Sequence, residues 1–213
     1  MTDWASIAGL ATAAGTAMLA VATFSATRSA NRSARSAERA LLEGLRPILI
    51  PSAWTDPIQK INFSDAKWLH ARGGRAALEA TENVVYAILS VRNAGRGLAV
   101  LHGWKVVHDR ANGPHDDPST FFRLTRDIYI PAGGLGFVQI GMRDPSTDDF
   151  AFAAEQASKT DVLAFDVLYG DAEGTQRVIT RFALLPLPGE PEEPTDRALA
   201  ASRHWNLDLP DPR

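Results

Sequence analysis

Asp161–Leu184, DVLAFDVLYGDAEGTQRVITRFAL, carries the plainest structural signal in the chain. Leu163, Phe165, Val167 and Tyr169 share one parity, against Asp166 on the other. The turn Asp171-Ala172-Glu173-Gly174 follows, and then Val178, Thr180, Phe182 and Leu184 alternate with Arg177, Ile179 and Arg181. Two runs of period two flanking a turn that contains glycine predict a β-hairpin.

Similar short runs lie upstream. Asn83–Asn93, NVVYAILSVRN, is apolar on both parities, as in a central strand. It ends in Asn93-Ala94-Gly95-Arg96-Gly97, residues that tolerate positive φ. LAVLHGWKVVHD follows, with His102, Trp104, Val106 and His108 on one parity. FFRLTRDIYI (121–130) and LGFVQIGM (135–142) read as two further strands around a Pro131–Gly134 turn. Earlier, PILIPSAW (47–54) is confined to an edge by Pro47 and Pro51, and weaker strand signals sit at 67–71 and near Leu78. Residues 146–158 predict one short helix, with Ser146 and Asp149 resembling a capping box. A loop at Arg110–Pro118 and a proline-rich loop at Pro186–Pro194 complete the pattern, and the tail is expected to fold back through Trp205. Seven to nine strands with one helix predict a mainly β fold, an antiparallel β-sandwich with a β-barrel as the alternative. Strands do not alternate with long helices, which argues against a doubly wound α/β fold.

The other end of the chain follows a different rule. Trp4–Phe24, WASIAGLATAAGTAMLAVATF, has no charged residue over 21 positions. As a helix it would measure about 30 Å, the thickness of a bilayer's hydrocarbon core, with Trp4 and Phe24 at its two ends. Its eight alanines make the drive for insertion modest. Two rivals remain, an Ala-rich helix buried in a soluble oligomer and a cleaved secretory signal. A signal needs basic residues ahead of the apolar run, and here the arginines follow it. Ala5, Gly9, Ala13 and Ala17 form a stripe of small residues suited to close helix packing, which makes self-association through the span an expectation.

Residues 25–46 continue as a basic helical stalk. Arg28, Arg32, Arg35 and Arg39 fall on one helical face, and Pro47 ends the helix before it. This row is the candidate determinant of topology and the candidate lipid-facing surface. Basic residues beside a span stay in the cytoplasm, so the predicted arrangement is a single pass of the cell's inner membrane, N-terminus outside and C-terminal domain cytoplasmic. The domain plan is 1–24 transmembrane helix, 25–46 stalk and 47–213 β domain.

Charge and composition exclude several classes. Of 213 residues, 45% are hydrophobic and 22% charged, values that exclude wholesale disorder. The absence of cysteine removes disulfides, thiolate metal sites and cysteine nucleophiles. Residues 25–46 carry net +3, and residues 47–213 net −5. An acidic main body argues against a nucleic-acid partner. The surplus of arginine over lysine is associated with GC-rich bacterial genomes.

On these residues the chain resembles a known outline. VVYAILSVRNAGRGLAVLHGW is similar to one edge of bacterial immunoglobulin-like domains, and DVLAFDVLYGDAEGTQRVITRFAL to their closing hairpin. With the span, the plan resembles bacterial single-span membrane proteins bearing a C-terminal immunoglobulin-like β-sandwich. The cysteine pair of antibody domains is missing. The resemblance implies a fold but no activity.

Reactive motifs are scarce. The sequence holds no phosphate loop, nucleophile elbow or HExxH. Gly133-Gly134-Leu135-Gly136 lies between β segments and reads as a turn. His102, His108 and Asp116 are the one conceivable metal set, but six strand residues separate the imidazoles by about 20 Å. Asp116/Asp117, Asp148/Asp149 and Glu192/Glu193 read as solvated or capping acids. Arg123, Arg126 and Asp127 read as a surface ion-pair row, and Trp54, Trp68, Trp104 and Trp205 as core and edge-covering residues. No catalytic, cofactor or metal residue is assigned. The reading is a membrane-anchored, cytoplasmic-facing β module that contacts the bilayer and an unidentified protein, with a tethered enzyme or small-ligand binder as the alternative.

Overall fold

The computed structural model describes residues 4–108, 113–188, 193–208 and 210. It divides into two units, Met1–Gly44 and Leu45–Arg213. The first is one α-helix, α1 (Trp4–Gly44). At 1.5 Å per residue its 41 residues span about 60 Å. It stops three residues before Pro47, whose ring denies Arg46 the helical conformation.

In the second unit the strands are β1 (Leu49–Pro51), β2 (Gln59–Asn62), β3 (Trp68–Ala71), β4 (Arg75–Ala80), β5 (Val85–Asn93) and β6 (Ala99–Val107). Then come β7 (Phe122–Arg123), β8 (Tyr129–Ile130), β9 (Leu135–Met142), helix α2 (Asp148–Lys159), β10 (Leu163–Gly170), β11 (Val178–Leu185) and β12 (Asp196–Asn206). Ten strands form one antiparallel sheet. Its main path runs β1-β5-β4-β12-β11-β10-β6-β7, with β9 on the far side of β5 and β8 on β6.

The sheet curls. Helix α2 touches β4, β5 and β10, which lie well apart along the strand order, and it places Phe150 and Ala153 in the interior. The two strands off this path, β8 on β6 and β9 on β5, are joined by the four residues Pro131–Gly134. Leu89, Leu101, Ile140, Phe165, Phe182 and Leu184 share this one core. The β2–β3 hairpin covers the outer side of β4 and β5, burying Ile61, Phe63 and Leu69 against Tyr86 and Ile88. A second outer cluster joins Phe121, Leu168, Ile179 and Trp205. Both sides of β5, β10 and β11 are therefore covered, which explains their apolar residues on both parities.

The antiparallel β architecture and the β10–β11 hairpin expected from the sequence are present, Leu163 to Leu184 and Tyr169 to Val178 in register. The immunoglobulin-like two-sheet form is a finer assignment than this continuous strand order establishes. Several local expectations change. The stretch 121–130 forms only the two-residue strands β7 and β8. The tail contributes β12, an eleven-residue strand between β11 and β4. Thr147, not Ser146, caps α2, accepting from Phe150 N. His102 does not share a parity with Trp104 throughout, because β6 bulges there. Leu168 pairs with Gly103 and Tyr169 with Leu101, leaving His102 as the extra residue.

The turn after β5 is a packing device. Gly95 and Gly97 do not use positive φ. Instead a Cβ would fall 2.2 Å from Arg46 O at Gly95 and 1.7 Å from Leu45 O at Gly97. Asn93 is fully buried, and its Nδ2 donates to Gly97 O and Ile130 O while its Oδ1 accepts from Ile48 N and Gly95 N. That one side chain ties β1, β5 and β8 together.

Candidate functional site

Register builds the first candidate site. Lys105, Asp166, Arg181 and Arg203 are cross-strand neighbours on β6, β10, β11 and β12. Asp166 and Arg181 are both buried and form a two-pronged pair, Nε to Oδ1 at 2.7 Å and Nη2 to Oδ2 at 2.8 Å. Arg181 also donates to Gly113 O and Pro114 O, each at 3.1 Å, and stacks over the Trp205 ring at 4.9 Å. The guanidinium thus fixes the 113–114 loop over the sheet, and its planar fork suits this simultaneous pairing and stacking.

Beside this pair lies a cleft of about 530 Å³. Lys105, His108, Asp116, Asp148 and Asp149 line it with Asp166 and Arg181. His108 Nε2 meets Asp149 Oδ1, its ring lies 4.7 Å from that of Phe152, and Lys105 Nζ is 3.7 Å from Asp149 Oδ2. The His–Asp pair is able to orient or exchange a proton. Among the described lining residues none is Ser, Thr or Cys, so the cleft offers no activated hydroxyl or thiol nucleophile.

A second concavity, about 290 Å³, lies between β9 and the segment 122–126. Trp104, Phe122, Arg123, Arg126, Gln139 and Arg143 line it. Trp104 and Phe122 stack at 4.8 Å. Arg143 donates to Asp65 and Ser64. This contact, followed by the Tyr86 hydroxyl, holds the Asp65 carboxyl far below its ordinary range. A third groove joins β1 to β12. There Leu49 N donates to Tyr169 Oη, Tyr169 meets Thr180, and Thr180 meets His204. Burial pushes the Tyr169 phenol up, so it remains a neutral hydrogen-bonding group.

The metal set considered from sequence is not assembled. His102 Nε2 is 3.2 Å from the position a Cβ at Gly170 would take, whereas His108 pairs with Asp149. Among the described residues no three His, Asp or Glu side chains are grouped to hold a metal ion. Arg123, Arg126 and Asp127 form no ion pair with one another among the described residues, and Asp127 takes a left-handed backbone, φ 50°. The tryptophans divide, Trp104 and Trp205 buried, Trp54 and Trp68 exposed. Asp117 caps the Pro118–Thr120 turn; Asp148 and Asp149 lie in the first turn of α2, which Thr147 caps, and Asp149 pairs with His108 and Lys105. Glu192 lies outside the described residues.

In α1, Arg28, Arg32 and Arg35 border one shallow groove with Phe24, Thr27 and Asn31. Gly9, Ala13 and Ala17 are exposed. The side chains of Ala5 and Arg39 lie outside the described residues. One stretch of α1, Ala8–Leu42, is long and apolar enough to cross a membrane, and its apolar window is unburied. Alternation alone does not reveal the buried Asp166–Arg181 pair. Counting outward from the Asp171–Gly174 turn sets Asp166 opposite Ile179; the longer loop between Gly170 and Val178 shifts the register by two residues and brings Asp166 opposite Arg181.

Fold and site together define a protein with one long apolar N-terminal helix and an antiparallel sheet domain. No family model, curated protein or solved structure matches the chain.

Proposed function

We propose that this is a membrane-anchored protein-interaction or regulatory module, with α1 crossing the inner membrane once and the sheet domain held in the cytoplasm. One observation carries the reading. The apolar length of α1 is unburied, with Leu10, Met18, Leu19, Val21 and Phe24 all exposed, and an arginine face follows it. Lipid removes the first problem, since burying such side chains contributes roughly 1.5–3 kcal/mol each. The arginines Arg28, Arg32, Arg35 and Arg39 set the sidedness and meet anionic headgroups at about 1 kcal/mol per residue. Self-association through Ala5, Gly9, Ala13 and Ala17 belongs to the same proposal, because small residues permit close helix contact in lipid.

The test is alkaline extraction of membranes from a bacterial host expressing the full chain, combined with reporter fusions at its C-terminus. Retention in the membrane pellet and a reporter active only in the cytoplasm are expected. A chain that stays monodisperse in the detergent-free supernatant, or a periplasmic reporter that is active, overturns the reading.

The cleft of about 530 Å³ beside Asp166 and Arg181 favours a second reading, a tethered small-ligand binder. Its convergent Asp, His and Lys groups suit a polar molecule.

A further inference from the structure

The ten-stranded sheet has an unpaired seam along β9. β9 is paired with β5 from Leu135 to Met142 and has no ladder on its other side among the described residues. The opposite wall, β7, pairs only with Gly103 and Trp104 of β6. The Pro131–Gly134 turn bridges the two walls at one end, and toward Met142 the seam opens as the groove of about 290 Å³. An unpaired strand edge presents backbone N–H and C=O groups that pair readily with an added strand.

The groove's chemistry is one-sided. Arg123, Arg126 and Arg143 line it, and its described lining contains no acid. Arg143 is committed to Asp65 and Ser64. Arg123 and Arg126 are exposed and make no ion pair among the described residues. In the same groove, Phe122 is 46% exposed and its ring rests on Trp104. Gly141 adds no side chain to the wall, and a Cβ there would have nothing nearer than 3.9 Å.

We propose that this seam receives an extended acidic segment of a partner protein as an added strand along β9. Carboxylates on one side of that segment face Arg123 and Arg126, while an apolar side chain rests on Phe122 and Trp104. The positive patch is local, on a region of net −5. Broad polyanions such as nucleic acid need a wider basic face; a short acidic strand needs only this one. The inference rests on the interaction-module reading and names the chemistry of the partner.

Fluorescence anisotropy on the full chain in detergent micelles tests it, with a fluorescein-labelled octapeptide of alternating Glu and Val as probe. Binding in the micromolar range is expected. It weakens at least about tenfold in the Arg123→Glu/Arg126→Glu variant. It is lost when alternate peptide nitrogens are methylated, and a Lys–Val peptide does not bind. Absence of binding at about 1 mM overturns the proposal, as does equal binding by the N-methylated or lysine peptide, or by a folded charge-reversed variant. Should that variant unfold, the N-methylated peptide on the unaltered chain decides. Membrane fractionation is read separately, so failure of the peptide experiment and failure of membrane anchoring are distinguishable.

Discussion

Asp166 and Arg181 face each other across the β10–β11 hairpin, nearly sealed from water. A buried ion pair gains little over an apolar pair of similar size, but losing one member strands the other charge. Asp166→Ala should therefore destabilise the domain by about 3–5 kcal/mol, and Asp166→Leu/Arg181→Met by clearly less. Urea unfolding of the full chain in micelles reads both. His102 adds a pH dependence. Burial, then the charges of Arg177 and Arg123, holds its pKa below 6.5, and its Nε2 has no hydrogen-bond partner. The folded state therefore binds this proton less readily than the unfolded state. Its contribution is complete above pH 6.5 and shrinks as pH falls below that value. Melting temperature should decline from pH 7 toward pH 5, and more shallowly in His102→Asn. A separate loss begins near the ordinary carboxyl value of 3.8, as pH falls toward the depressed pKa values of Asp56, Asp65 and Asp208.

Helix α2 closes the curled sheet over β4, β5 and β10, and Phe150 is its largest buried side chain in the core. Phe150→Ala should cost about 3–5 kcal/mol through lost burial and the cavity left behind, measured as a shift in the urea midpoint at constant slope. The same element shows how local rules slip by one residue: Ser146 bonds Asp144, leaving Thr147 to cap. β12 shows a deeper limit. Asp196–Asn206 is rich in Ala and Arg, residues without strong strand preference. It becomes a strand because β11 and β4 offer it partners on both sides. Its bulge at Ser202, where Arg181 pairs with Arg203 and Phe182 with Ala201, also breaks the parity that sequence reading relies on.

At the scale of the whole molecule, the proposed membrane anchoring gives the two units different solvents. Replacing Arg28, Arg32, Arg35 and Arg39 together by Gln should convert the expected single orientation into a mixed population. Paired cytoplasmic and periplasmic reporters at the C-terminus measure that ratio. Unchanged sidedness would assign topology to other residues.

The sequence by itself determined the elements whose cause is local. The uncharged run of α1 and its end before Pro47 follow from side-chain polarity and ring geometry. The β10–β11 hairpin follows from alternation around a single turn. Tertiary structure alone decided the curled ten-strand path, the bulge at His102, the burial of Asn93, and the gathering of Arg123, Arg126 and Arg143 beside Trp104. Each of these depends on pairing between segments far apart in the chain. Periodicity records which side of a strand a residue occupies but not which strand lies beside it.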